Sequence, residues 1–254
     1  FTPGLILALL FMVTVLIGCL FRPQWGGKKI KTDWQARWKT LPDMIPPLII
    51  FLVVIGTIYL GWATPTESAA LGVIIALVLA AWRRRLTILM LRDAIEGTMR
   101  TTGMVMMILV AAFFLNFVIT AIGLTAKVNA WVFGMGLTPM ETLIAVVLFY
   151  LILGMFMETL SMMVATVPII TPLIIALGFD PVWFGVLIML LIETAMITPP
   201  VGINLFIVQG VRGRGQLHDV MIGALPFVGS LVVMIVLLIL FPEIALWLPE
   251  LLRK

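Results

Sequence analysis

Thr198-Pro199-Pro200-Val201-Gly202 falls inside an apolar run, Val182 to Val208, made mostly of Leu, Ile, Val, Met and Phe. A helix that crosses lipid cannot simply stop halfway, because its freed N–H and C=O groups find no water there. Pro199 and Pro200 remove two successive donors, and their rings clash with the preceding turn. The chain must break here, and a break at membrane depth is tolerated only where it lines a cavity or is buried in protein. Discontinuous helices of this kind build the ion and substrate sites of many secondary transporters.

Composition supplies the membrane setting. The chain is 63% hydrophobic and 11% charged, with a mean hydropathy of +1.23, against roughly 25% charged residues in a soluble domain. Its apolar segments are continuous rather than alternating, which argues for helices and against a β-barrel. At about 20 apolar residues per span, its 254 residues allow roughly seven to nine membrane segments. The net charge of +4 reports orientation in a membrane protein rather than nucleic-acid affinity. The single Cys19 excludes an internal disulfide framework. Because Phe1 is not Met and runs straight into an apolar segment, the sequence predicts a further N-terminal portion.

Full spans are expected near Leu5–Leu20, Ile45–Gly61, Ser68–Trp82, Thr102–Ile122 and Met221–Phe241. The basic residues gather in three clusters: Arg22 to Lys39, Arg83 to Arg100, and Arg212 with Arg214. Placing all three in the cytoplasm satisfies the positive-inside rule, and the amphipathic segment near 83–100 then lies along the interface. Thr138 is outside and Arg212 inside, so an odd number of crossings joins them. The simpler solution is a re-entrant hairpin over 139–177, turning near Gly154–Thr159, followed by a broken helix over 181–211. Three ordinary crossings satisfy the same parity.

Helix starts support these boundaries. Thr64-Pro65-Thr66-Glu67 and Thr138-Pro139-Met140-Glu141 fit capping boxes with proline at the first helical position. Asp180-Pro181 and Thr198-Pro199 carry the same N-cap-then-proline signal, and the last predicts a half-helix starting inside the membrane. Pro168 and Pro172 are expected to bend the returning arm of the hairpin. Gly103, Gly134, Gly136, Gly223 and Gly229 are expected at close helix contacts.

Glu67, Glu158 and Glu193 lie within or beside apolar runs, where a charge is a functional hypothesis by default. Glu67 has a sufficient role as the capping-box acid. Glu193 reads either as a cavity-facing group or as a structural hydrogen-bond partner. Glu158, at the hairpin tip, reads as a cap on the returning helix, as a cation ligand, or as both. A hard monovalent cation such as sodium prefers oxygen ligands, and two breaks facing each other would supply them. The candidate cation-binding residues are Gly154, Glu158, Thr159, Thr194, Ile197, Thr198, Val201 and Gly202. Thr159, Thr198, Pro199, Pro200 and Asn204 are the candidate substrate-facing residues, with an anion resting on the two half-helix N-termini. His218, beside Asp219 in a basic loop, reads as a solvated residue. No glycine-rich phosphate loop is present, no Cys/His cluster suggests a transition-metal site, and no organic cofactor is expected. The methionines read as lipid-facing and packing residues.

Taken together, these stretches resemble the large membrane subunit of tripartite ATP-independent periplasmic (TRAP) transporters. Gly61-Trp62-Ala63-Thr64-Pro65-Thr66-Glu67-Ser68-Ala69-Ala70 is similar to the family's G-x-x-T-P-T-E-A-A-A signature. Gly154-Met155-Phe156-Met157-Glu158 resembles its G-x-F-x-D, and Gly178-Phe179-Asp180-Pro181-Val182-Trp183-Phe184-Gly185 its G-x-D-P-x-H-F-G. Ile197-Thr198-Pro199-Pro200-Val201-Gly202-Ile203-Asn204-Leu205-Phe206 resembles I-T-P-P-V-G-x-N-L-F. Phe241-Pro242 and Leu246-Trp247-Leu248-Pro249 also fit. Glu158 stands where the family usually has Asp, and Ala195 where Gly is common.

The resemblance implies an all-α integral membrane fold of the elevator type, multi-pass in the bacterial inner membrane, with a re-entrant hairpin and a broken helix forming the second of two inverted repeats. It implies sodium-coupled uptake of a C4-dicarboxylate, sialic acid or similar carboxylate. The implied partners are a periplasmic substrate-binding protein, a small four-helix membrane subunit, the N-terminal half of the same subunit, and the lipid bilayer, but no nucleic acid. Residues 1–123 would be scaffold-type helices, 124–211 the transport-type region, and 212–254 a cytoplasmic loop and C-terminal membrane helix. The alternatives are a non-transporting half-permease scaffold and a membrane-bound enzyme acting on lipid-linked substrates. The enzyme would need a catalytic His, Cys or carboxylate pair near an interface, and the sequence offers none.

Overall fold

The computed structural model describes residues 2–26 and 34–252, which form α-helices and one 3-10 turn at Pro23–Gly26. The helices are α1 (Thr2–Phe21), α2 (Trp34–Tyr59), α3 (Pro65–Trp82), α4 (Ile88–Ala121), α5 (Leu124–Gly134), α6 (Pro139–Gly154), α7 (Thr159–Ala176), α8 (Pro181–Met196), α9 (Ile203–Arg212), α10 (Leu217–Leu240) and α11 (Glu243–Leu252). Five of them, α1, α3, α4, α7 and α10, are long and apolar enough to cross a membrane. Phe1 and the basic residues Lys28, Lys29 and Lys31 lie outside the described residues.

The chain divides into two compact units, Lys28–Val105 and Phe1–Gly27 with Met106–Lys254. In the first, α2 and α3 form a helical hairpin. Its turn uses Gly61 at φ 69°, a conformation that costs glycine nothing. Ser68 is fully buried and hydrogen-bonds Thr57 across the hairpin at 2.9 Å. One turn on, a Cβ at Gly72 would meet Val54 Cγ2 at 2.9 Å. Small residues four apart let the two backbones close up, which matters because lipid gives apolar helices no hydrophobic reason to associate.

In the second unit the most buried helix is α8. Trp183, Phe184, Leu187, Ile188, Leu191 and Ile192 are all within 2% exposure. They pack on Leu143, Val146 and Tyr150 of α6, Met162 and Ile174 of α7, and Met234 and Leu238 of α10. Directional contacts fix the arrangement where apolar surface alone would not. Trp183 Nε1 donates to the Leu238 carbonyl at 2.8 Å, and Phe179 stacks on Trp183 with centroids 5.4 Å apart. Tyr150 and Thr166 hydroxyls tie α6 to α7 at 2.8 Å. α1 packs on α10 through the Thr14–Ser230 hydroxyl pair and the edge-to-face Phe11–Phe227 pair.

Both capping boxes form as the sequence predicts. Thr64 N donates to Glu67 Oε2 at 2.8 Å, and Thr138 N to Glu141 Oε2 at 2.8 Å. Asp180 caps α8 through the Val182 and Trp183 N–H groups. Other expectations are corrected. The segment near 83–100 and the span at Thr102 are not separate, because α4 runs through both. The stretch after Ile122, for which the sequence suggested no element, contains α5. A Cβ at Gly103, Gly134, Gly136, Gly223 or Gly229 would meet nothing within 4 Å, and among the described residues the glycines tight against a neighbouring helix are Gly72 and Gly154.

Candidate functional site

α6 and α7 are joined by a turn of four residues, Met155 to Glu158. Glu158 is the N-cap of α7: its Oε1 accepts from Leu160 N at 3.0 Å and its Oε2 from Ser161 N at 3.1 Å. The carboxylate is exposed, so capping does not consume all of its acceptor capacity.

The break after α8 has a chemical origin. Pro199 and Pro200 cannot donate to the carbonyls one turn earlier. Ala195 O accepts from Thr198 N instead, at 3.1 Å. No hydrogen bond reaches the carbonyl oxygens of Met196 or Ile197 among the described residues, while the Thr198 carbonyl faces back into the turn over 199–201. The Pro199–Pro200 peptide bond is cis. Thr198 does not cap the following half-helix, contrary to the N-cap-then-proline reading. Of the two N–H groups that such a cap could accept from, the one on Pro200 is missing, and the one on Val201 makes no bond to the Thr198 side chain. Its hydroxyl instead donates back to the Thr194 carbonyl. α9 starts at Ile203 with Gly202 as N-cap, at φ 47°, ψ 81°. A Cβ at Gly202 would meet Leu205 Cδ1 at 2.9 Å and the Thr198 carbonyl oxygen at 3.0 Å.

The hairpin tip and the break meet. A Cβ at Gly154 would lie 2.6 Å from Ala195 Cβ, and Thr159 Oγ1 donates to Met196 Sδ at 2.9 Å. The C-terminal ends of α6 and α8 and the N-terminal end of α7 therefore converge, with α9 starting just beyond the break. C-terminal ends carry partial negative charge and N-terminal ends partial positive charge, so one place offers carbonyl oxygens to a cation and N–H groups to an anion. The two N-termini differ, however. Glu158 already occupies α7's, whereas Gly202 provides no side-chain cap for α9. Only α9 presents open donors to an anion.

The predicted residues distribute as follows. Gly154 and Gly202 are buried in their contacts, and Thr159, Ile197, Thr198, Pro199, Val201 and Asn204 are half-buried around the junction. Pro200 is exposed. Thr194 is 1% exposed and donates to Leu190 O within its own helix, so its contribution to the break is its carbonyl, which holds Thr198. The hydroxyls of Thr159, Thr194 and Thr198 all spend their hydrogens internally, leaving lone pairs available. Glu193 is exposed on α8 and makes no hydrogen bond among the described residues. Sequence reasoning missed Met196, whose thioether accepts from the hairpin tip. Its only signal was its place at the break, and the methionines had been read as packing residues.

Residues 1–244 match the family described as Tripartite ATP-independent periplasmic transporter, DctM component, and the chain belongs to that family. It is 28% identical over 271 residues to the C4-dicarboxylate TRAP transporter large permease protein DctM of Vibrio cholerae, covering 98% of this chain and 59% of the relative. It is 30% identical over 251 residues to the sialic acid TRAP transporter large permease protein SiaM of the same organism, covering 98% and 58%. It is likewise similar to the ectoine TRAP transporter large permease protein TeaC of Halomonas elongata, at 30% identity with 98% and 58% covered. The chain thus spans little more than half the length of these relatives and matches their C-terminal half. With its family and its five candidate spans, it is a multi-pass membrane protein, and these relatives are named as permeases rather than enzymes.

Proposed function

We propose that this chain forms the second substrate-and-ion clamp of a TRAP permease subunit, coupling sodium entry to uptake of an organic acid across the bacterial inner membrane. The observation that carries this reading is the junction of Gly154 and Thr159 with Ala195 and Met196, beside the Met196 carbonyl oxygen, whose helical donor position is occupied by Pro200. Sodium takes the carbonyls of Met196 and Ile197 with the Thr159 and Thr198 hydroxyls, and the substrate carboxylate rests on the N-terminus of α9 near Asn204. The hairpin is re-entrant. α6, with 16 residues, is about 24 Å long, short of the roughly 30 Å hydrocarbon core. Residues 124–211 move as the elevator against scaffold helices in 1–123. A periplasmic binding protein delivers the substrate, a small membrane subunit packs alongside, and the N-terminal half of the subunit supplies the first clamp.

Named relatives act on a C4-dicarboxylate, sialic acid and ectoine at near-equal identity, so resemblance in this half does not select among substrates. The test is uptake by the complete subunit with its partners in proteoliposomes. Thr198→Val keeps the shape and removes one oxygen, and the expected result is a roughly tenfold rise in half-saturating sodium. An unchanged sodium curve removes the Thr198 hydroxyl from the site, and uptake indifferent to sodium in the parent complex overturns the coupling. The 254-residue chain reconstituted alone is expected not to transport.

A further inference from the structure

Away from the junction, α5 and the outer face of the α6–α7 hairpin line a half-open apolar groove of about 380 Å³. Val128, Trp131 and Val132 of α5 face Phe149 of α6 and Ile169 and Ile170 of α7 across it. Water has little reason to occupy it. Two lining hydroxyls, Thr142 and Thr166, already donate to the Thr138 and Met162 carbonyls, and an apolar cavity without free polar partners stays dry. Left empty, it would forfeit dispersion contacts along its whole lining. In a bilayer the occupant at hand is an acyl chain.

The mouth of the groove carries a headgroup preference. Lys127, beside Val128 and one helical turn before Trp131, is the only Lys or Arg between Arg100 and Arg212. Its side chain is exposed and makes no ion pair among the described residues. Glu141, beside the lining residue Thr142, is turned to Thr138 N and Oγ1 in its capping box and forms no ion pair with Lys127 among the described residues. Trp131 is 67% exposed, an amphipathic ring of the sort that settles at headgroup level. α5, with 11 residues, is too short to span. The geometry points to a binding site for an anionic phospholipid, with one acyl chain in the α5–α6–α7 groove and the phosphate at Lys127.

The site rests on neither sodium coupling nor transport, and its test reads lipid rather than uptake. The purified chain in detergent is titrated with dioleoyl phosphatidylglycerol or dioleoyl phosphatidylcholine, and retained lipid is counted by native mass spectrometry. The parent is expected to retain phosphatidylglycerol preferentially. Lys127→Gln, at an exposed position, is expected to reduce that preference about fivefold, the worth of one lysine near an anionic surface, and Lys127→Arg to keep it. Ala145→Phe, which fills the groove from its rim, is expected to remove the retained lipid of both kinds. Equal retention of the two lipids by the parent, as from an unselective annulus, overturns the proposal. So does retention unchanged in Ala145→Phe with an unchanged helical circular-dichroism signal.

Discussion

A Cβ built on Gly154 would lie 2.6 Å from the Cβ of Ala195. The hairpin tip and the end of α8 are therefore as close as two helices can be when one side offers only a hydrogen. Gly154→Ala adds a methyl that also comes within 3.3 Å of Met162 Cε. Overpacking of this kind costs about 1–3 kcal/mol. Thermal unfolding of the purified chain in detergent is expected to shift downward, and Ala195→Gly introduced into the same chain is expected to restore most of the loss. Failure of that second change to help would mean that Gly154 acts through backbone freedom rather than space.

Gly202 combines two demands that Gly178 separates. At Gly178, φ is 89° and a Cβ would meet nothing within 4 Å. At Gly202, φ is 47° and a Cβ would press on Leu205 and on the Thr198 carbonyl oxygen. Gly178→Ala is expected to cost only the left-handed conformation, about 1–2 kcal/mol. Gly202→Ala is expected to cost more and to disturb the break, lowering uptake by the complete complex well beyond the Gly178 variant. Equal losses in both variants would show that the Thr198 carbonyl is not confined by this glycine.

Glu158 has a structural role that a charge-only reading overlooks, since each of its oxygens accepts one α7 N–H. Glu158→Ala is expected to lose about 1 kcal/mol of stability with the cap, while Glu158→Asp, an equally good capping type, retains it. Glu158→Gln keeps an acceptor oxygen and removes the charge. Stability held in that variant with a raised sodium requirement for uptake would assign the charge a second role, and an unchanged requirement would leave Glu158 a cap alone.

Local signals were the legible ones. The two capping boxes and the Asp180 cap depend on residues at most three apart and formed as read. The break was legible because proline chemistry is local, yet its restart lies four residues later than read, because the Thr198 hydroxyl bonds back to Thr194 O and Gly202 is the N-cap of α9. α5 escaped notice because its apolar positions, Val128, Trp131 and Val132, cover too short a stretch to read as a span. The pairing of Gly154 with Ala195 and of Thr159 with Met196 lies beyond local reading. These contacts join residues about forty positions apart, and tertiary packing alone selects which small residue faces which.

Tyr150 and Thr166 offer a test of how buried hydroxyls hold the hairpin. Thr166 has one hydroxyl hydrogen and gives it to the Met162 carbonyl at 2.7 Å. The 2.8 Å contact with Tyr150 therefore has the tyrosine O–H donating and the threonine oxygen accepting. The consequences of removing either partner are unequal. Tyr150→Phe deletes the donor and leaves Thr166 with its own bond intact, so a loss near 0.6 kcal/mol is expected, the average for hydrogen bonds inside membrane proteins. Thr166→Val strands a phenol at a position with 0% exposure, and a buried donor without an acceptor costs about 1–3 kcal/mol. Adding Tyr150→Phe to Thr166→Val should then recover stability rather than lose more. A melting temperature for the double variant below that of Thr166→Val alone would reverse the assigned donor direction.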